Sequence, residues 1–308
     1  MLSGPQVHAQ EKWPSKRVTL VVPVGAGTIT DATARLLAEY LKNHFGQPFL
    51  VENRPGAGAT LGSRYVARST ADGYTFLVGG NTTHSVAPSF FKNLPYDPIA
   101  DFTPVAHIGK FSSFLAANTE QPFKTVEAMA SFAKANPGRL SYGHGNATGQ
   151  IMGETIKKKL ALDIVAVPYA SNPPAITDLI GNGLQLAGVD MLNGVPLVEA
   201  GKIVALAVAS KARNPRLPSI PTLDETLIRG FEVLPWVGLF GPPNLPRDIT
   251  EQMSDALAKI FADETFVARL QKMGPEPYYM PSAPFAAFVA ADIAVWAEHA
   301  RMAGITPQ

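Results

Sequence analysis

The sequence contains no cysteine, and this absence excludes several kinds of chemistry at once. Without a thiol there is no disulfide, no thiolate nucleophile and no cysteine-ligated metal. An excess of charge of one sign is also missing, because 26 Lys and Arg residues balance 25 Asp and Glu residues and leave a formal net charge of +1. We therefore expect neither nucleic acid nor an anionic membrane surface as a partner.

Long apolar runs and the common catalytic motifs are missing as well. No stretch approaches the roughly 20 continuous apolar residues that cross a bilayer, so the sequence predicts no transmembrane helix. The six histidines form neither an HExxH motif nor any close metal-binding spacing. A GxSxG elbow and a Walker A motif are absent, and the carboxylates are too scattered to nominate an acid–base pair. We expect no enzyme activity, no metal and no cofactor.

From Arg17 onward, the chain repeats an apolar β-rich run, a Gly-rich or polar turn and a segment with helical periodicity. This rhythm predicts an α/β fold. The 308 residues suffice for two domains of roughly 100 to 200 residues each. We predict two lobes, each a mostly parallel sheet flanked by helices, with a ligand cleft between them. Residues 13–112 and 237–308 are assigned to the first lobe, and residues 113–236 to the second.

Apolar runs and turn residues locate the individual elements. Gly46 is expected to end the first helix, Thr125 to cap another, and Thr222 with Glu225 to form a capping box. The predicted strands are 18–22, 49–52, 74–78, 140–142, 164–167, 184–189, 204–209 and 237–240. The predicted helices are 61–68, 125–135, 247–262, 264–273 and 284–303, with others opening at residue 30 and after residues 148 and 174.

Four predicted strand-to-helix turns are rich in small groups that donate hydrogen bonds: 25–31, 79–84, 143–149 and 190–193. Glycines let the backbone approach a ligand, and the amides of a helix start suit a carboxylate or phosphate. Helix capping alone also explains the first turn and Asp190. The candidate ligand-binding residues are Gly27, Thr28, Ile29, Thr30, Asp31, Asn81, Thr82, His84, Asn146, Thr148, Tyr169, Asp190 and Asn193.

An enzyme alternative comes from the first turn. Gly25-x-Gly27 after a strand, followed by Glu52 at the end of the next strand, resembles a dinucleotide-binding unit and would make the chain an NAD-dependent oxidoreductase. Against this alternative, Thr30 occupies the place of the third glycine and Pro23 interrupts the approach from the strand.

The N-terminal region carries a possible processing site. Val7-His8-Ala9 before Gln10 has small residues at the spacing that a signal peptidase accepts, so we expect export with cleavage before Gln10. Residues 1–6 lack the basic and apolar stretches that normally precede such a site, so either the leader was trimmed or the match arose by chance.

Several strings resemble the solute receptors of the tripartite tricarboxylate transporters, also called the Bug family. The likeness covers nearly the whole chain. It includes Glu52-Asn53-Arg54-Pro55-Gly56-Ala57-Gly58, Val66-Ala67-Arg68, Asp72-Gly73-Tyr74-Thr75, Leu94-Pro95-Tyr96-Asp97-Pro98 with Asp101-Phe102, Ala135-Asn136-Pro137-Gly138, Val167-Pro168-Tyr169, Ala200-Gly201-Lys202 and Ala303-Gly304-Ile305.

This resemblance implies a periplasmic type II binding-protein fold that delivers an organic acid to a membrane permease. It implies that the turn from Gly25 to Asp31 holds a ligand carboxylate, although family members usually have a Pro-Gly-Gly turn there. Dicarboxylates, tricarboxylates, acidic amino acids and aromatic carboxylates are all candidate solutes, and Trp236, Phe111 or Phe114 would flank a ring unless they belong to the core. We expect a monomer. A receptor that signals to a sensor kinase would use the same site and stays an alternative.

Overall fold

The computed structural model describes residues 13–308, and the possible processing site at residues 7–10 lies outside them. The described strands are β1 Val18–Val22, β2 Phe49–Asn53, β3 Thr75–Gly80, β4 Thr103–Phe111, β5 Ser113–Asn118, β6 Leu140–His144, β7 Ile164–Pro168, β8 Leu186–Asp190, β9 Ile203–Val208, β10 Trp236–Gly241 and β11 Pro275–Pro281. The described helices are α1 Ile29–Phe45, α2 Thr60–Ala67, α3 Ala87–Phe90, α4 Val126–Ala135, α5 Ala147–Leu160, α6 Asn172–Ile180, α7 Met191–Glu199, α8 Leu223–Thr226, α9 Arg247–Phe261, α10 Glu264–Lys272 and α11 Ser282–Ala303.

The strands form two sheets, which confirms the predicted α/β class with two lobes. The first lobe is built on a six-stranded sheet in the order β11-β4-β10-β3-β1-β2, and the second on a five-stranded sheet in the order β7-β6-β8-β5-β9. We use these two sheets to define the lobes below. The residue limits given to the lobes above stay a prediction.

Both sheets are mixed, whereas the sequence suggested mostly parallel sheets. In the first lobe, β10 runs antiparallel to β3 and β4, and β11 runs antiparallel to β4. In the second, β5 runs antiparallel to β8 and β9. Four of these five antiparallel pairs involve β4, β5 or β11, which the sequence pattern did not identify as strands, and the fifth joins β3 to β10. Parallel pairs remain where a helix connects the strands, as in β1 with β2 and β6 with β7.

Two extended segments connect the lobes. Only Ser112 separates β4 in the first sheet from β5 in the second, so the chain passes directly between the lobes there. The chain returns ahead of β10, where the backbone N–H of Phe111 donates to the carbonyl oxygen of Pro235 at 2.9 Å. The side chain of Asn214 donates to Ser112 Oγ at 2.9 Å. The first hydrogen bond joins the two crossing segments, and the second ties Ser112 to the loop after β9 in the second lobe.

Helix α11 packs on both lobes. Phe285 and Val289, near its start, are buried in a first-lobe cluster with Phe240. Trp296 and Ala303, near its end, are buried in a second-lobe cluster. Helices α9 and α10 pack only in the first-lobe core, through side chains such as Met253, Leu257, Phe266 and Leu270. The long C-terminal helix therefore joins the cores of the two lobes.

Local signals explain where most helices begin and end. Thr125 caps α4, the Thr222 and Glu225 pair forms the predicted capping box, and Gly46 ends α1 in the left-handed conformation, all as predicted. Helices α5 and α6 begin earlier than expected, and α6 carries its two prolines inside the first turn, where their missing N–H groups leave no helical hydrogen bond unmade.

Candidate ligand site between the lobes

A small polar cavity of about 70 Å³ lies between the lobes, where four helices begin. The turn before α1 contributes from the first lobe, and the starts of α5, α6 and α7 contribute from the second. Each helix start presents backbone N–H groups without helical partners and the positive end of the helix dipole. Groups that attract an anion therefore face the cavity from both lobes.

Thr28 and Asp31 organise the first rim. Thr28 Oγ1 donates to the carbonyl of Gly25 at 2.9 Å and accepts the N–H of Asp31 at 3.4 Å, so Thr28 is the N-cap of α1. Asp31 Oδ2 accepts the N–H of Gly27 at 3.0 Å. Burial alone would raise the pKa of Asp31, but hydrogen bonds from Arg35, Asn53 and the Gly27 N–H lower it below its usual value. Asp31 thus braces the turn from behind and does not line the cavity.

The turn after β3 brings only some of its candidate residues to the cavity. Asn81 and Thr82 line the cavity. His84 instead lies in the first-lobe core, where its ring stacks on Phe240 with centroids 3.8 Å apart and its Nδ1 contacts Thr83 Oγ1 at 2.8 Å. Burial lowers the pKa of His84 to about 3, so the ring is neutral at neutral pH. We correct the expectation that His84 would face a ligand, because the turn directs its side chain into the sheet.

The second-lobe rim is held by a hydrogen-bonded group of side chains. Asn146 Oδ1 accepts the N–H of Gly149 at 2.8 Å and caps α5. Asp190 Oδ1 accepts the N–H of Asn193 at 3.0 Å and caps α7, as the capping alternative required. Asp190 Oδ2 also accepts from Asn172 Nδ2 at 3.0 Å. These donors offset the negative charge of the one acidic side chain in the described lining.

Eight of the thirteen candidate residues line the cavity: Thr28, Ile29, Thr30, Asn81, Thr82, Asn146, Thr148 and Asp190. The other five are Gly27, Asp31, His84, Tyr169 and Asn193. Asn193 lies at the rim, with its Nδ2 3.4 Å from the carbonyl of Gly27, and Tyr169 lies in a neighbouring chamber, where its hydroxyl donates to Asp178 at 2.6 Å. The structure therefore gathers most of the candidates and moves the remaining ones behind or beside the cavity.

Ser171 and Asn172 are lining residues that the sequence analysis missed. Ser171 is the N-cap of α6, yet its side chain makes no capping hydrogen bond. Ser before Asn172-Pro173-Pro174 is a recognisable helix start and could have been noticed. Of the aromatic candidates, Phe111 and Trp236 line the cavity, whereas Phe114 is buried in the second-lobe core.

The two rims touch directly. Asn81 Nδ2 donates to Thr148 Oγ1 at 3.1 Å, and both side chains are buried. Asn193 Nδ2 reaches the carbonyl of Gly27 at 3.4 Å, and Arg216 Nη1 reaches the carbonyl of Lys272 at 3.3 Å. These contacts place the lobes in a closed arrangement around the cavity.

Residues 13–308 contain neither a cluster of metal-binding side chains nor a helix that could span a membrane. Across residues 13–308, no three His, Asp or Glu side chains gather closely enough to hold a metal ion. None of the helices described above combines the length and the apolar character needed to cross a bilayer. Lys and Arg side chains are absent from the described cavity lining, whose polar groups are helix N-termini, amides, hydroxyls and the Asp190 carboxylate.

Two mixed α/β lobes joined by crossing segments, with helix starts facing each other across a cleft, define a two-lobed periplasmic-binding-protein fold. Residues 33–304 match the receptors of the tripartite tricarboxylate transporter family, and the chain belongs to that family.

Solved relatives share both fold and sequence. A protein of R. palustris in complex with adipate is 34% identical, with a TM-score of 0.92 over 96% of this chain and 100% of that one. The periplasmic binding protein BugD is 32% identical, with a TM-score of 0.91 over 96% and 100% of the two chains. MatC of Rhodopseudomonas palustris, with bound malate, is 30% identical, with a TM-score of 0.85 over 93% and 99%.

Proposed function

We propose that this protein is an extracytoplasmic receptor that binds a small organic carboxylate in the cleft and delivers it to a membrane permease of the tripartite tricarboxylate type. The observation that carries the proposal is the convergence of four helix starts, from two lobes, on one cavity whose described lining has no basic side chain. Family membership and the adipate and malate complexes of two relatives support the carboxylate class.

The ligand carboxylate is held by backbone N–H groups of the Thr28–Thr30 turn on one side. On the other side, the start of α5 and the Ser171 hydroxyl complete its hydrogen bonds. Charge-assisted hydrogen bonds of this kind stabilise an anion without a paired cation. Ordered water would fill the remaining positions.

Closure of the lobes is part of the proposed mechanism. A solute that contacts both rims favours the closed arrangement by its differential affinity for that state. The contact between Asn81 and Thr148 already joins the rims beside the cavity. The permease would recognise the closed receptor, and a periplasmic location and a monomeric state are part of the same proposal.

A thermal-unfolding screen against organic acids tests the binding function. A ligand at 100 times its Kd stabilises the folded state by about 2.7 kcal/mol. We expect at least one carboxylic acid to raise the unfolding temperature and its neutral amide to leave it unchanged, because the site selects the negative charge. Equal shifts with acid and amide, or no shift with any acid, would contradict the proposal. Uptake into vesicles that contain a permease, measured with and without the receptor, tests delivery.

A further inference from the structure

A second, larger chamber lies beside the polar cavity. Its volume is about 570 Å³, within the range of roughly 300 to 1,000 Å³ that is usual for small-molecule sites. Pro23, Val24, Thr82, Asn146 and Ala170 line both spaces, so the chamber adjoins the polar cavity through a shared wall. The chamber is therefore the nearest space for any part of a ligand that the polar cavity of about 70 Å³ does not hold.

The chamber differs from the polar cavity in chemistry. Its walls carry Val86, Phe90 and Phe91 from the first lobe and Ile305 from the segment after α11. Lys, Arg, Asp and Glu are absent from its described lining. The one histidine there, His144, has its pKa lowered by burial and is neutral at neutral pH. A second carboxylate placed in this chamber would face mainly apolar walls and no cationic side chain of the described lining.

One wall has an unusual backbone. Residues 56–59 all have positive φ, including Ala57 at 46° and Ala59 at 74°, although alanine rarely adopts this region. A Cβ atom at Gly58 would lie 2.6 Å from Phe91 Cζ, so the missing side chain makes room for the tip of the Phe91 ring. Strained backbone of this kind is concentrated at ligand-binding positions.

The segment after α11 closes the far side. The N–H of Lys92 donates to the carbonyl of Gln308 at 3.0 Å, and the N–H of Gln308 donates to the carbonyl of Phe90 at 3.0 Å. This pairing fixes Phe90 and Phe91 next to Ile305. The chamber is thus a formed compartment with walls from both lobes.

We propose that this chamber receives the apolar body of the ligand, and that the preferred solute is a monocarboxylate carrying an aromatic ring. The inference rests on the receptor function proposed above and narrows its substrate class. The carboxylate occupies the polar cavity, while the ring lies between the Phe91 wall and Ile305. Burial of the ring supplies apolar contact, and the phenyl faces offer edge or offset stacking.

Calorimetric titration of the full chain, unfolded and refolded to remove any retained solute, tests this assignment with 3-phenylpropanoate, adipate and malate at pH 7. We expect 3-phenylpropanoate to bind at least tenfold more tightly than the two dicarboxylates. Phe91→Glu places a charge in the wall and should weaken 3-phenylpropanoate binding by at least tenfold. Val295→Glu is the matched control, because Val295 is 51% exposed on α11 and does not line the chamber, and it should leave binding unchanged.

A milder variant covers the case in which Phe91→Glu fails to fold. Phe91→Leu keeps an apolar side chain and loses the ring, so it should weaken 3-phenylpropanoate binding by about 2- to 12-fold and leave adipate binding unchanged. Tight adipate or malate binding that Phe91 variants do not alter would overturn the chamber assignment and leave the receptor function intact. If none of these three acids binds but another acid of the thermal screen does, the chamber assignment is overturned and the receptor function stands; if no acid of the screen binds, both are refuted.

Discussion

The hydroxyl of Ser171 offers a clean test of how the site holds an anion. Ser171 is the N-cap residue of α6 but its side chain caps nothing, so Ser171→Ala removes a cavity-lining group without removing a structural hydrogen bond. The hydroxyl also lies close to the opposite rim, since a Cβ atom built on Gly25 would be 3.6 Å from Ser171 Oγ. We therefore expect the variant to alter binding and to leave stability unchanged.

The magnitude follows from the charge of the ligand. A hydrogen bond to a charged group contributes about 1.5 to 3 kcal/mol. Because about 1.4 kcal/mol corresponds to a tenfold change in affinity, Ser171→Ala should weaken carboxylate binding by about 10- to 140-fold. Water that replaces the hydroxyl would bring the loss toward the lower value.

Thr125→Ala provides the matched control. Thr125 is also an N-cap, and its Oγ1 accepts the N–H of Ala128 at 3.2 Å, but it lies outside the cavity lining. This variant should lower the free energy of unfolding by about 0.5 to 2 kcal/mol, with unchanged affinity. Calorimetry gives the affinities and urea unfolding gives the stabilities. Unchanged binding in Ser171→Ala, or a stability loss equal to that of Thr125→Ala, would contradict the role assigned to the Ser171 hydroxyl.

Three further predictions concern the contact between the rims, the packing of the turns and the pH dependence of stability. A double-mutant cycle with Asn81→Ala and Thr148→Val should show a coupling of about 0.5 to 1.5 kcal/mol in ligand affinity, and additive losses would show that the two rims do not act together. Gly145→Ala should lower the free energy of unfolding by about 1 to 3 kcal/mol, because the new Cβ would lie 2.1 Å from the Ser171 backbone. Gly25→Ala is the matched control, because its Cβ would meet its nearest neighbour at 3.6 Å. Urea unfolding should show no loss of stability for Gly25→Ala. In the folded protein the pKa of His84 is about 3, below its ordinary value of 6.5. As the pH drops below 6.5, the unfolded state therefore binds a proton that the folded state does not. The free energy of unfolding should fall by up to about 1.4 kcal/mol per pH unit. His84→Phe should reduce this dependence of stability on pH. If the substitution leaves the pH dependence unchanged, the proton is taken up by other groups.

The fold was predictable where local signals were strong. Strand Val18–Val22 and the helix ending at Gly46 follow from an apolar run and a left-handed cap, and the structure places both at those positions. Strands β4 and β11 were missed because Pro104, Pro275 and Pro277 interrupt their apolar patterns. Their pairing is decided by contacts between distant parts of the chain, which no local window contains.

The site was predictable at the level of turns rather than of side chains. Glycine, hydroxyl and amide groups after parallel strands indicated which turns meet, and Asn81 and Thr148 do meet. The sequence could not tell which way each side chain points, so His84 was taken as a contact residue although it packs on Phe240. Ser171 was missed because its turn contains no glycine and reads as the start of an ordinary proline-led helix.

A crystal structure of the complex with the tightest-binding acid from the screen would show whether both lobes hold the ligand carboxylate. We expect carboxylate oxygens within about 3 Å of backbone N–H groups in the Thr28–Thr30 turn and of the second-lobe groups at Ser171 and the start of α5. An acid bound outside the interlobe cleft, or held by only one lobe, would contradict this expectation.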